Sequence, residues 1–131
     1  MDRLNWRSQQ AARALASFKQ LAFIESPNAI ERDAAIQRFE YTTEACWKAA
    51  QAALLQHFGV EAASPKAVIR AAAQNGLLSE PDARAAMGLI DDRNLTSHTY
   101  NEALAIALFT RLPGHADIFE RLLKGLEKAS R

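Results

Sequence analysis

The stretch IQRFEYTTEACWKAAQAALLQHFG, Ile36 to Gly59, decides how the chain folds. Its apolar or small residues Ile36, Phe39, Thr43, Cys46, Ala50 and Leu54 recur every three or four positions. That is the spacing of one face of an α-helix, and no alternation of period two competes with it. Gly59 is a natural C-terminal stop, because glycine takes the left-handed conformation that ends a helix. Upstream, Ser26 to Ala29 (SPNA) breaks the chain at Pro27. Before it, Leu4, Ala11, Leu15, Phe18 and Ala22 form the stripe of a first helix.

Downstream, Ser64 and Pro65 fit an N-cap and a first helical position, and Gly76 closes that third segment. Ser79 with Asp82 three residues on starts a fourth helix, expected to run to about Asp92. The run NEALAIALFTRL is predicted to stop at Pro113–Gly114, leaving Ile118, Leu122 and Leu126 on a last helix. Alanine is frequent and β-branched residues are sparse. The fold class is therefore all-α: an up-and-down bundle of five or six helices in one domain, residues 1–131, with no repeat or linker.

Hydrophobic residues make up 49% of the chain and charged residues 24%, with a formal net charge of +1. That balance excludes a protein that grips nucleic acid through many phosphates, but leaves RNA at one small site. The single Cys46 has no partner for an internal disulfide and suits a reducing compartment. It is read as an inert buried thiol. The opening MDRLNWRSQQ has no apolar core of a signal peptide, and no run is long enough to cross a bilayer, so a cytoplasmic protein is expected.

Polar chemistry concentrates in DDRNLTSHTYNEAL, Asp91 to Leu104. On an unbroken helix Arg93 and His98 would lie about 140° apart, too far to serve one site. Thr96, Ser97 and Thr99 favour a break there, and Thr99 with Glu102 fits a capping box that starts a new helix near Tyr100. Arg93 then ends one helix, and His98 sits just before free N–H groups that favour an anion such as phosphate. Arg93 could hold that phosphate with two hydrogen bonds, and Asp91 and Asp92 could orient Arg93 by ion pairing. With one nearby histidine the two aspartates are too few for a metal site, and no cofactor motif is read. A plainer reading has Arg93 paired with Asp91 or Asp92, and His98 capping a helix.

At this junction RNLTSHTY resembles the R-x4-H-x-Y signature of HEPN domains. More narrowly it resembles the nucleotidyltransferase substrate-binding proteins, which accompany a minimal nucleotidyltransferase. RFEYTTEACWKAA (Arg38 to Ala50), SPKAVIRAAAQNGLL (Ser64 to Leu78) and RNLTSHTYNEALA (Arg93 to Ala105) stand in the subfamily's order and spacing, over roughly residues 35–108. An aromatic residue often precedes the motif in the subfamily, where ARAAMGLIDD has only Met87. The resemblance implies a helical bundle that dimerises with the motif at or near the interface. It also implies one of two functions. In one, the chain is the partner of a minimal nucleotidyltransferase in a toxin–antitoxin pair, with Tyr100 accepting AMP from ATP. In the other it is a metal-independent endoribonuclease toxin, with Arg93 and His98 as the catalytic pair, supported by Asn94 and, more distantly, Asp91, Asp92 and Glu102.

Outside the junction, Trp47 is read as a core residue. Tyr41 and Glu44 could face a dimer partner. His57 and His115 are read as helix-end residues. Arg3, Arg7, Arg13 and Lys19 are read as a solvated face that could instead touch an acidic patch on a partner, with Trp6 an exposed aromatic beside them.

Overall fold

The computed structural model describes residues 2–131. It contains five α-helices: α1 (Arg3–Ala22), α2 (Ala29–Phe58), α3 (Pro65–Gln74), α4 (Glu80–Leu95) and α5 (Glu102–Ala129). A single 3-10 turn, Thr96–His98, joins α4 to α5.

Local chemistry sets the ends. The Asp2 carboxylate accepts from the Asn5 amide at 2.7 Å and starts α1. Asn28 and Glu31 form a reciprocal capping box at the start of α2, and Gly59, at φ 65°, ends it. Ser64 caps α3 with Pro65 behind it, and Ser79 caps α4. At about 1.5 Å per residue, the 30 residues of α2 make a rod of about 45 Å. It packs against each of the other four helices.

Every residue of the two predicted stripes on α1 and α2 is buried. Phe18, Phe39 and Phe119 meet in the middle at centroid distances of 5.9–6.1 Å, in tilted or edge-on contacts that aromatic rings favour. Trp47 is only partly buried against this core. Lys19 of α1 pairs with Glu120 of α5, so it is not part of a purely solvated face.

The predicted stop at Pro113–Gly114 does not occur: α5 continues through Pro113 for 28 residues. An interior proline costs about 3 kcal/mol of helix stability. Leu108, Phe109 and Leu112 before it and Ala116, Ile118 and Phe119 after it are all buried, and their packing outweighs that cost. His115 therefore lies inside α5, packed on the core, and not at a helix end. Gly125, near the end of α5, passes so close to the α3–α4 turn that a Cβ there would overlap the Leu77 carbonyl oxygen.

Candidate functional site

The α4–α5 elbow is held by its own hydroxyls. Thr96 Oγ1 donates to the Arg93 carbonyl at 2.7 Å, Ser97 Oγ to that of Asn94 at 3.3 Å, and Thr99 Oγ1 to that of Thr96 at 3.0 Å. These bonds satisfy carbonyls that the end of α4 leaves open. The break falls where the sequence predicts, but α4 runs on to Leu95. The cap of α5 is Asn101 and not Thr99, with Asn101 Oδ1 accepting from the Leu104 amide at 3.1 Å. Thr99 is already committed to the elbow, so the predicted Thr99–Glu102 box does not form. His98 sits on the 3-10 turn, three residues before the true cap, and Glu102 is exposed in the first turn of α5.

The sequence-predicted residues divide into two groups. His98 and Tyr100 meet edge-on, with ring centroids 6.2 Å apart. His98 is exposed, and Tyr100 is 87% exposed. Asn94 is exposed nearby. Arg93 is half-buried: Nη1 donates to Thr96 Oγ1 at 3.1 Å, and Nη2 lies 3.8 Å from Glu44 Oε1 on α2. Its Nε is buried without a hydrogen-bond partner among the described residues. Arg93 and His98 share no hydrogen bond. Glu44 also accepts from Trp47 Nε1 at 3.2 Å, so Trp47, Glu44 and Arg93 form one chain of contacts from α2 to α4.

Neither aspartate pairs with Arg93, contrary to both readings of the sequence. Asp91 takes Lys66 of α3 at 2.6 Å. Asp92 points inward, 7% exposed, and is gripped by α5. Arg111 donates to both of its oxygens at 2.8 and 2.9 Å, and His115 Nε2 lies 2.6 Å from Oδ2. The His115 ring stacks on Phe39 at 5.2 Å. Burial acts to raise the Asp92 pKa, but the hydrogen bonds and charges of Arg111 and His115 prevail and hold it below the usual carboxylate range. Burial pushes His115 below the ordinary imidazole value, and the pull of Asp92 in the other direction is weaker. Burial also raises the Cys46 thiol far above its usual range, which fits an inert core residue.

The sequence reading does not pair Arg111 and His115 with this segment. Their signal was available: they stand four apart on one helical face. Reading Pro113 as a break hid it. Among the described residues no group of three or more His, Cys, Asp and Glu side chains could hold a metal ion, and no helix is long and apolar enough to cross a membrane.

The chain is all-helical, and comparison with known proteins identifies its class. Residues 6–128 match the family model "nucleotidyltransferase substrate binding protein like". The chain belongs to that family. A Thermus thermophilus protein of solved structure is 59% identical over 88% of this chain and 98% of its own, with a TM-score of 0.87. A tri-AMPylated Shewanella oneidensis HEPN toxin, solved in complex with an MNT antitoxin, shares the fold at TM-score 0.79 and 19% identity, over 98% of this chain and 99% of that one. A Haemophilus influenzae protein, described as having the fold of a substrate binding domain of a nucleotidyltransferase, aligns at TM-score 0.74 and 24% identity, over 92% and 98% of the two chains. No curated protein matches the chain.

Proposed function

We propose that the chain is the HEPN-type partner subunit of a minimal nucleotidyltransferase in a toxin–antitoxin pair, with Tyr100 as the acceptor of AMP. The subunit acts as a single-domain cytoplasmic homodimer. The observation that carries this reading is the presentation of Tyr100: a phenol 87% exposed at the tip of a self-braced elbow. Family membership and the AMPylated state of the Shewanella toxin support it. Tyr41, by contrast, has its hydroxyl engaged by Ser17 Oγ at 2.6 Å. In the reaction the Tyr100 oxygen attacks the α-phosphorus of ATP. A phosphoester bond forms, the α–β anhydride bond breaks, and pyrophosphate leaves. The phenolic proton passes to a base, and His98 is the adjacent imidazole on this chain.

The expected result with the cognate nucleotidyltransferase and ATP is a mass gain of adenylyl groups. Tyr100→Phe abolishes it and Tyr41→Phe keeps it. Adenylyl mass that persists at the same stoichiometry in Tyr100→Phe rules out this acceptor.

A second reading, a metal-independent endoribonuclease, draws on one observation. Arg93 keeps an unpartnered Nε beside one hydrogen bond to Thr96 and a long ion pair to Glu44, in the same elbow as an exposed His98. His98 would take the proton of a ribose 2′-OH as it attacks the adjacent phosphate, and Arg93 would stabilise charge on the phosphoryl oxygens. Asn94 would support the pair. Cleavage of RNA in the presence of a chelator should then fall at least about 100-fold in both Arg93→Ala and His98→Ala. Cleavage surviving both substitutions would place any nuclease site elsewhere.

A further inference from the structure

The elbow that carries His98 and Tyr100 has little of its own to aim it. Its hydroxyl bonds each span three residues, so they set its shape but not its direction. From Arg93 to Asn101 only Thr96 is buried, so packing orients it little either. Besides the cap at Asn101, three polar ties among the described residues run from this segment to other helices. They join Asp91 to Lys66, Arg93 to Glu44, and Asp92 to Arg111 and His115. The Lys66 pair is exposed on both sides and therefore weak. The Glu44 pair is long, at 3.8 Å. Asp92 alone is a buried partner, and its three contacts are all 2.9 Å or shorter.

The place of this cluster in the fold gives it leverage. Asp92 lies three residues before the end of α4, and Arg111 stands nine residues after the start of α5. At about 1.5 Å per residue that start is about 14 Å from Arg111, and the chain from Arg93 to Asn101 has to cover the distance. The span therefore departs from the cluster and returns to α5 well away from it. The cluster itself is fixed to the aromatic centre of the core, because the His115 ring stacks on Phe39 at 5.2 Å.

We propose that Asp92, clamped by Arg111 and His115, is a positioning residue that sets where the elbow stands on the bundle. It thereby holds the Tyr100 hydroxyl and the His98 imidazole in line for reaction. Asp92 acts through the backbone of the elbow and not on substrate. The chemistry rests on the Tyr100 reading, but the geometry does not. A reacting group misplaced by about 1 Å loses on the order of 100-fold in rate, so a site on an exposed elbow depends on whatever aims it. A purely structural tie would differ in one respect: its loss would cost folded molecules, not rate per folded molecule.

The test compares Asp92→Asn with Gly125→Ala, which perturbs the far end of α5, at a temperature where circular dichroism shows both to be folded. In transfer of AMP from ATP by the cognate nucleotidyltransferase, Asp92→Asn should lower kcat at least about tenfold and leave KM for ATP unchanged. Arg111→Gln, at the exposed edge of the cluster, keeps the His115 contact and should lower kcat about threefold. Gly125→Ala should keep the wild-type kcat. Native-state hydrogen exchange gives a readout independent of the reaction. The Thr96, Asn101 and Leu104 amides are bonded within the elbow. In Asp92→Asn they should exchange at least about tenfold faster relative to amides in the middle of α1. Absence of transfer to the wild type would remove the Tyr100 reading and leave exchange to decide the role of Asp92. Unchanged relative exchange at the elbow, or wild-type kcat in Asp92→Asn, overturns the proposal. An equal fall of kcat in Gly125→Ala reduces the cluster to a stability tie and overturns it as well.

Discussion

Asp92→Ala is expected to destabilise the protein by about 3 kcal/mol, read as a shift in denaturant midpoint with an unchanged slope. The carboxylate is the shared acceptor of Arg111 and His115 and the main polar tie between α4 and α5. Its removal leaves two donors with different fates. Arg111, whose side chain is 43% exposed, regains water. His115 is packed on Phe39 and its Nε2 loses its acceptor inside the bundle. Arg111→Ala should therefore cost less than Asp92→Ala, and equal losses would show that the tie runs through Arg111 alone.

The same cluster sets a pH dependence. His115 is held below about 6.5, so the unfolded chain takes up a proton that the native state refuses. The native state carries no such penalty above about pH 6.5, and stability declines as pH falls through that value. Asp92 is held below its ordinary value, so its contribution is present above about pH 3.9 and is lost only at lower pH. His115→Gln should remove the decline that begins near about pH 6.5 and keep the more acidic limb. A His115→Gln variant whose stability still declines from the same pH would assign that decline to another group.

Gly125→Ala is the second large effect. The added methyl would overlap the Leu77 carbonyl oxygen, which is backbone and cannot swing aside. Leu77 and Leu78 are buried, and the Leu77 amide is bonded to the Ala72 carbonyl at 2.9 Å, so the α3–α4 turn has little room to yield. Relief requires the end of α5 to lift off the bundle. The expected loss is about 2–3 kcal/mol, a fall in melting temperature on the order of 10 °C. Gly88→Ala is the control. It lies within α4, an added Cβ there meets nothing within 4 Å, and alanine favours helix over glycine by about 1 kcal/mol. The two variants should move stability in opposite directions. If Gly125→Ala melts with or above the wild type, α5 does not seat against that turn.

The helices were legible because their signals are local. Ser64–Pro65, Ser79 and Gly59 mark ends within one turn, and the stripes of α1 and α2 need only a period of three to four residues. Pro113 misled for the same reason: its cost is local, while the packing of Leu112 and Phe119 that overrides it comes from other helices. The elbow was legible as a break, with its polar residues correctly grouped. The partners were not. Asp92 meets residues 19 and 23 positions away, and Arg93 reaches back to Glu44 on another helix. No spacing rule within a segment reports contacts of that range. Gly125 carried no mark of its own, since only the neighbouring turn makes its missing side chain necessary.

The long α2 rod has one further consequence. Between Ala35 and Leu54 only Gln37 and Tyr41 are exposed, and all four other helices pack on this rod. Peeling away any other helix uncovers part of that surface. Partial opening is then costly wherever it starts, and the bundle should come apart as a whole. Resistance to a protease would follow the population of fully unfolded molecules and not the fraying of one end.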